Sequence, residues 1–249
     1  MKALVTGGTS GLGRAFCDAL KVRGFEVTSL DITTPETGCG FDHIPCDLAS
    51  SHNVDFALKQ LVKRGPFDVV IFNAGISATG KFEEIDADAH ARVLAINSEA
   101  PIVLCAGLMA ENMISEGGHI GFVSSLSHYA GYPGAASYAA SKDALAIYAK
   151  SIRKPFAKSR SISVTCAFPG PLRTAHAERH APKGADASKR MTPVAAAKII
   201  LADIMAGKSK SLPGGAAKAT AVLGRVAPAS MTKLMRKIIY DKLEKTVAD

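Results

Sequence analysis

Short apolar runs rich in Val, Ile and Phe alternate along this chain with stretches where apolar residues recur every three or four positions. The runs at residues 3–6, 26–30, 68–72, 119–124 and 162–168 read as strands covered on both faces, as parallel strands between helices must be. Shorter runs at 43–46 and near 210–212 bring the count to about seven. Helical periodicity occupies 12–23, 54–63, 84–116, 136–157 and 193–206. The longest stretch reads as two helices broken near Pro101. Strand–helix alternation of this kind predicts an α/β fold: a doubly wound, mostly parallel, seven-stranded sheet with helices on both faces. Right-handed crossovers would then leave a crevice at the carboxyl edge of the strands. Residues 1–249 read as one domain. Residues 175–192 are polar and aperiodic, which predicts a mobile loop. Residues 228–247 predict an amphipathic helix.

Composition narrows the picture. With 249 residues, 47% of them hydrophobic, the chain can fill one core of this kind. No run of eighteen apolar residues is present, so no membrane span is expected. The first residues read as a buried strand entering a glycine loop and lack the layout of a signal peptide, which predicts a cytoplasmic protein. The five cysteines are odd in number and scattered, without a Cys-x-x-Cys pair, so reduced thiols and no metal are expected. The formal charge is +8, but basic residues are spread and aromatics make up 6%, which argues against nucleic acid as a partner. The terminal helix carries a stripe of Met231, Leu234, Met235, Ile238 and Ile239 beside Lys233, Arg236, Lys237 and Lys242. Packing on the body or a second subunit is the simpler reading. A peripheral lipid or acyl-chain contact is the sharper one.

Candidate chemistry begins at Thr6-Gly7-Gly8-Thr9-Ser10-Gly11-Leu12-Gly13, directly between the first strand and first helix. Gly7 permits a tight turn, Gly11 lets backbone approach a pyrophosphate, and Gly13 lets the helix pack closely on the sheet. The helix N-terminus would add free N–H groups and partial positive charge. This strand–loop–helix context predicts a Rossmann-type dinucleotide site. Asp31 closes the second strand, where a carboxylate can accept the adenine-ribose hydroxyls and repel a 2′-phosphate. NAD is therefore expected over NADP. Arg14, beside the loop, leaves room for NADP.

Tyr138 and Lys142 stand four apart at the start of a helix, so both side chains can enter one cleft. A free phenol titrates near 10, too high for a base at neutral pH, and a nearby cation lowers it. Tyr138 could then serve as general acid or base. Ser125, just past the strand at 119–124, could donate to a substrate oxygen as charge develops there.

With Asn73-Ala74-Gly75 after the fourth strand and Asn97 in a long helix, the sequence resembles the short-chain dehydrogenase/reductase family, in its compact single-domain branch. The resemblance implies cofactor contacts from Gly7, Thr9, Ser10, Gly11, Leu12, Gly13, Asp31, Asp47, Leu48, Asn73, Ala74 and Gly75. Asp47 is implied to meet the adenine ring. Asn97 is implied to hold a water linking the lysine to solvent. Lys142 is implied to bind the nicotinamide ribose as well as tune Tyr138. Ser125, thirteen residues before Tyr138, has the family separation; Ser124 and Ser127 fit it less well. Pro169, Gly170 and Thr174 resemble the segment after the sixth strand, where Thr174 would hold the carboxamide. Phe72 and Phe168 depart from the residues frequent at their places. The catalytic set is thus Ser125, Tyr138, Lys142 and Asn97, and a homodimer or homotetramer is implied.

The implied reaction is hydride transfer between NAD(H) and an alcohol or ketone. The substrate is not named by the sequence. His128, Tyr129 and Tyr132 could touch it or equally cap their loop, and the charges of 175–192 suit an anionic substrate or a solvated lid. Two rivals stay open. One is a sugar-nucleotide epimerase or dehydratase, which would carry a larger substrate domain and a different glycine spacing. The other is a non-enzymatic NAD sensor or scaffold, which would be expected to lose Tyr138 or Lys142.

Overall fold

A computed structural model describes residues 1–243 and 246–249. The first half alternates β1 (Lys2–Thr6), α1 (Gly11–Val22), β2 (Glu26–Asp31), β3 (Asp42–Pro45), α2 (Ser51–Val62) and β4 (Phe67–Phe72). A short strand β5 (Ala78–Thr79), α3 (Ala87–Leu94), α4 (Ala100–Ala110) and β6 (Ile114–Val123) follow. Next come α5 (Ser127–Ala130), α6 (Ala136–Arg160), β7 (Ser163–Ala167), α7 (Ala175–Arg179), α8 (Pro193–Met205) and β8 (Lys210–Ser211). Helices α9 (Gly215–Val226) and α10 (Pro228–Ile238) lead to a last strand, β9 (Val247–Ala248).

Seven strands form a parallel sheet in the order β3-β2-β1-β4-β6-β7-β8. The order reverses between β1 and β4, which opens the crevice at their carboxyl ends. The doubly wound expectation holds. Strand residues alternate between two cores, because successive side chains point to opposite faces. Leu4, Val70 and Phe122 join the core with α2, α4 and α6, while Ala3, Val5, Val69 and Ile71 join the core with α1 and α8. Phe72 and Phe122 stack at 4.9 Å in the first core, which gives the aromatic at position 72 its reason.

Several boundaries differ from the sequence reading. The helical stretch expected over 84–116 ends at Ala110, and Ile114 already belongs to β6. Asn112 stops it in the left-handed region at φ 57°, a conformation in which asparagine commonly ends a helix. The break expected near Pro101 lies just before that residue, which sits in the first turn of α4. It falls at a π-turn over Ala95–Glu99. Residues 175–192 are not wholly irregular: they contain α7 and a 3₁₀ turn at Ala187–Lys189, and Leu172 bridges to Met191.

The terminal helix is shorter than the expected 228–247. It ends at Ile238, a 3₁₀ turn covers Tyr240–Lys242, and residues 244–245 lie outside the described residues. Of its apolar stripe only Met231 is buried; Leu234 and Ile238 are exposed. The two-residue pairing of β5 with β9, antiparallel, was not foreseen. Among the described residues, 87–110 is the one helical stretch long and apolar enough to cross a membrane. Half of its most apolar part is buried inside the fold, as expected of a core helix.

Candidate active site

The glycine loop is shaped by close backbone approach. A Cβ on Gly13 would lie 1.8 Å from the Gly7 carbonyl oxygen, and Gly7 itself needs φ +68°. Gly11 has φ +53° and only Thr174 beside it, so its outer face is open. Ser10 stands at the N-cap of α1 without a side-chain cap bond, leaving N–H groups of the first turn available. Leu12, by contrast, turns into the core with α8. This cradle suits a pyrophosphate, which needs bare backbone and a helix N-terminus.

Asp31 reaches back to the loop. One carboxylate oxygen accepts from the Thr9 amide at 3.0 Å and hydroxyl at 2.7 Å, and the other from the Thr33 amide at 3.1 Å. Arg14 is held elsewhere, paired with Asp18 at 3.0 Å and lying over the Phe41 ring. Asp47 accepts from the Ala49 amide at 2.9 Å and faces Arg92 at 3.5 Å, while Leu48 packs in the core. Asn73 donates to the Thr6 and Gly7 carbonyls at 3.1 and 3.3 Å, and the amides of Asn73 and Ala74 both reach the Thr6 hydroxyl. This crosslink fixes the end of β4 against the glycine loop. Gly75 has its own constraint: a Cβ there would stand 2.8 Å from Lys142 Nζ.

Tyr138 and Lys142 rise from the first turns of α6 and share one face. Lys142 is 3% exposed; its Nζ donates to the Val123 carbonyl at 3.0 Å and lies 5.9 Å from the centre of the Tyr138 ring. Burial lowers its pKa to about 8. Burial also pushes the Tyr138 phenol up, and the hydrogen bond with Ser125 works in the opposite direction. The phenol is therefore protonated at neutral pH in the ligand-free protein. Ser125 is held by the Ser127 amide at 3.2 Å. Its neighbour Ser124 is spent on structure, donating to the Lys142 carbonyl at 2.8 Å.

Asn97 enters through the π-turn, whose extra residue turns a buried polar side chain toward α6. It accepts from the Ile76 amide and donates to the Ile76 carbonyl, both at 2.9 Å, and donates to the Ser141 hydroxyl at 3.0 Å. Ser141 in turn donates to the Tyr138 carbonyl at 2.7 Å. Ser141 is a positioning residue that sequence reasoning did not single out. Its place between Tyr138 and Lys142 was the available signal.

Three aromatic candidates separate clearly. His128 pairs with Asp143 and packs on Tyr129 and Phe168. Tyr129 is buried against α9. Both therefore hold their loop. Tyr132 meets Tyr138 edge to face at 6.1 Å, and burial pushes its phenol up to about 12. Leu126 donates its amide to the Pro169 carbonyl at 3.2 Å and packs on Gly170, tying the segment after β7 to the loop after β6. Thr174 caps α7 at the Ala177 amide, 3.1 Å away, and touches Gly11. Also unforeseen is a cluster of His176, Arg179, His180 and Asp249 around β5.

Comparison with known proteins places the fold and the family. A relative in Drosophila melanogaster, "Dehydrogenase/reductase SDR family protein 7-like", is 28% identical over 186 residues. That match covers 69% of this chain and 57% of the relative, so the chain spans little more than half of that protein's length. An Escherichia coli relative, "Cyclic-di-GMP-binding biofilm dispersal mediator protein", is 31% identical and covers 69% of this chain and 73% of its own. Among solved structures, 4-hydroxyisoleucine dehydrogenase complexed with NADH superposes with a TM-score of 0.65 at 27% identity, covering 72% of this chain and 76% of that one. The short chain dehydrogenase family model matches residues 1–184, and this chain belongs to that family.

Proposed function

We propose that this protein is an NAD(H)-dependent oxidoreductase that interconverts an alcohol and a carbonyl, with Tyr138 as its acid/base. The observation that carries this reading is the Tyr138 phenol hydrogen-bonded to Ser125 with the buried Lys142 ammonium 5.9 Å from its ring centre. The glycine loop, the α1 N-terminus, Asn73 and Thr174 would hold the dinucleotide, which supplies the hydride acceptor or donor when bound. Asp31 stands where ribose hydroxyls would bond, and its charge disfavours a 2′-phosphate. Arg14 is engaged with Asp18, so it does not offset that charge. NAD over NADP follows.

Each residue then has a task. In reduction, the protonated Tyr138 phenol gives its proton to the carbonyl oxygen while Ser125 donates a second hydrogen bond. In oxidation the same phenol must first lose its proton. The ammonium of Lys142, below the ring, favours the phenolate. Asn97 and Ser141 hold α6 against the loop after β4, so the phenol and ammonium keep one geometry. The substrate belongs between Tyr138, Tyr132 and the segments around β5 and α7. The E. coli relative's printed name, cyclic-di-GMP-binding, keeps a nucleotide-binding role as the second reading.

Tyr138→Phe decides between them. Turnover should fall by about 10²–10⁴-fold with NADH affinity unchanged. The assay follows NADH absorbance against secondary alcohols, ketosteroids, sugars and acyl carbonyls. Full activity in the variant, or no turnover by wild type across the panel despite NADH binding, would refute the acid/base role.

A further inference from the structure

Asp249 lies in a nest of polar groups around β5 and α7. Arg179 presents Nε at 3.1 Å and Nη2 at 2.8 Å to one carboxylate oxygen. The other oxygen meets His180 Nε2 at 2.9 Å, His176 Nδ1 at 3.0 Å and the Ser77 amide at 3.2 Å. Five nitrogens thus surround one carboxylate, two of them guanidinium N–H groups on the same oxygen. His180 is 5% exposed, and its Nδ1 pairs with the buried Thr79 hydroxyl at 2.9 Å. With the Thr79 hydroxyl donating to Nδ1, Nε2 carries its proton toward Asp249. Burial pushes the Asp249 carboxyl up, and the bonds from His176 and His180 more than reverse this, holding it well below the usual carboxylate range.

The donors come from two places that border the reaction site. Ser77 is two residues beyond Gly75, the glycine packed against Lys142 Nζ, and so within about 7.6 Å of it along the chain. Arg179, His176 and His180 follow Thr174, which touches the glycine loop. The carboxylate, by contrast, arrives on a strap. Val247–Ala248 pairs with Ala78–Thr79 over two residues, Thr246 bonds Glu84, and the Asp249 amide bonds the Ser77 carbonyl. A cavity of about 120 Å³ beside the nest is lined in part by Thr79, His180, Ala181, Leu243 and Val247.

We infer that His176, Arg179, His180 and the Ser77 amide form a carboxylate subsite of the substrate cleft, which Asp249 fills as an internal stand-in. The substrate class is then a hydroxy- or oxo-carboxylate whose carboxylate displaces Asp249. This deepens the oxidoreductase reading and rests on it for the chemistry at Tyr138. The His176, His180 and Asp249 atoms, all within 4.8 Å of one another, could also suggest a cation site. Arg179 argues against it, since its guanidinium already sits on the same carboxylate.

Succinate, a dicarboxylate without a reactive carbonyl, tests the subsite apart from turnover. Its binding is measured by calorimetry on the full chain, in wild type, Asp249→Asn and Asp249→Asn/Arg179→Gln, with NADH affinity as the control for folding. Asp249→Ala replaces the amide variant if that one fails to fold. Neutralising the stand-in should tighten succinate at least tenfold, and removing Arg179 should cancel the gain, with NADH affinity equal throughout. Equal succinate affinity in wild type and Asp249→Asn, or a gain that survives Arg179→Gln, would overturn the subsite. So would zinc binding that is lost in Asp249→Asn when no variant binds succinate. An inactive enzyme that still shows the succinate pattern would instead indict the Tyr138 chemistry and leave the subsite standing.

Discussion

The two halves of the cleft are built by opposite means. The half proposed for the dinucleotide is built on close approach to glycine and loop backbone. Gly13 lies against the Gly7 carbonyl, Gly75 against Lys142, and the Asn73 amide against two loop carbonyls. The half proposed for the substrate joins groups from distant parts of the chain: the Ser77 amide meets Asp249 across 172 positions, and Thr79 meets His180 across 101. Contacts of the first kind tolerate almost no added atom. Those of the second kind can be exchanged one at a time.

Four substitutions press on that contrast. Gly13→Ala is expected to be the most damaging, since its methyl cannot coexist with the Gly7 oxygen; about 3 kcal/mol or more of stability should go, along with NADH binding. Urea unfolding and NADH titration measure both, and an unharmed variant would break the contrast at its stronger end.

Lys142→Met tests the buried ammonium through pH. Its folded pKa is about 8 against 10.5 unfolded, so between those values the unfolded chain binds the extra proton. Wild-type stability should therefore gain on order 1–3 kcal/mol from Lys142 as pH rises from 8 to 10.5. Urea midpoints of the variant should lack that gain, and parallel curves would deny the burial.

Asp31→Ala should raise NADP use relative to NAD by about tenfold, and cost about 1 kcal/mol through the freed Thr9 donors. An unchanged cofactor ratio would place nucleotide choice elsewhere. Thr79→Val, in the substrate half, removes one bond to His180 and should cost only about 1 kcal/mol, with NADH affinity untouched. A larger loss there would erase the difference between the halves.

The same contrast explains what the sequence could tell. Steric necessity leaves a local trace, so Gly7 and Gly13 were legible from spacing beside a strand end, whereas Asn73 and Gly75 came only with the family resemblance. The five inner strands were legible because both faces of the sheet are covered, which keeps them largely apolar; the edge strands β3 and β8 are short and more polar. Helix ends were harder. Met113 and Ile114 prolonged a helical period past Asn112, whose left-handed conformation was the only stop signal. Ile238 and Ile239 similarly gave no hint that α10 ends there. His176 and His180 are spaced as helical neighbours, but nothing local says that a carboxylate seventy residues on completes their cluster.

The π-turn at Ala95–Glu99 puts one surplus residue into an otherwise regular coil. Without it, everything downstream would rotate by roughly 100° about the helix axis. Asn97 would swing off Ile76 and Ser141 while the apolar residues of α4 left their own seats. A single-codon deletion inside those five positions is therefore not a small change: it forces the chain to choose between the bonds that hold α6 and its core.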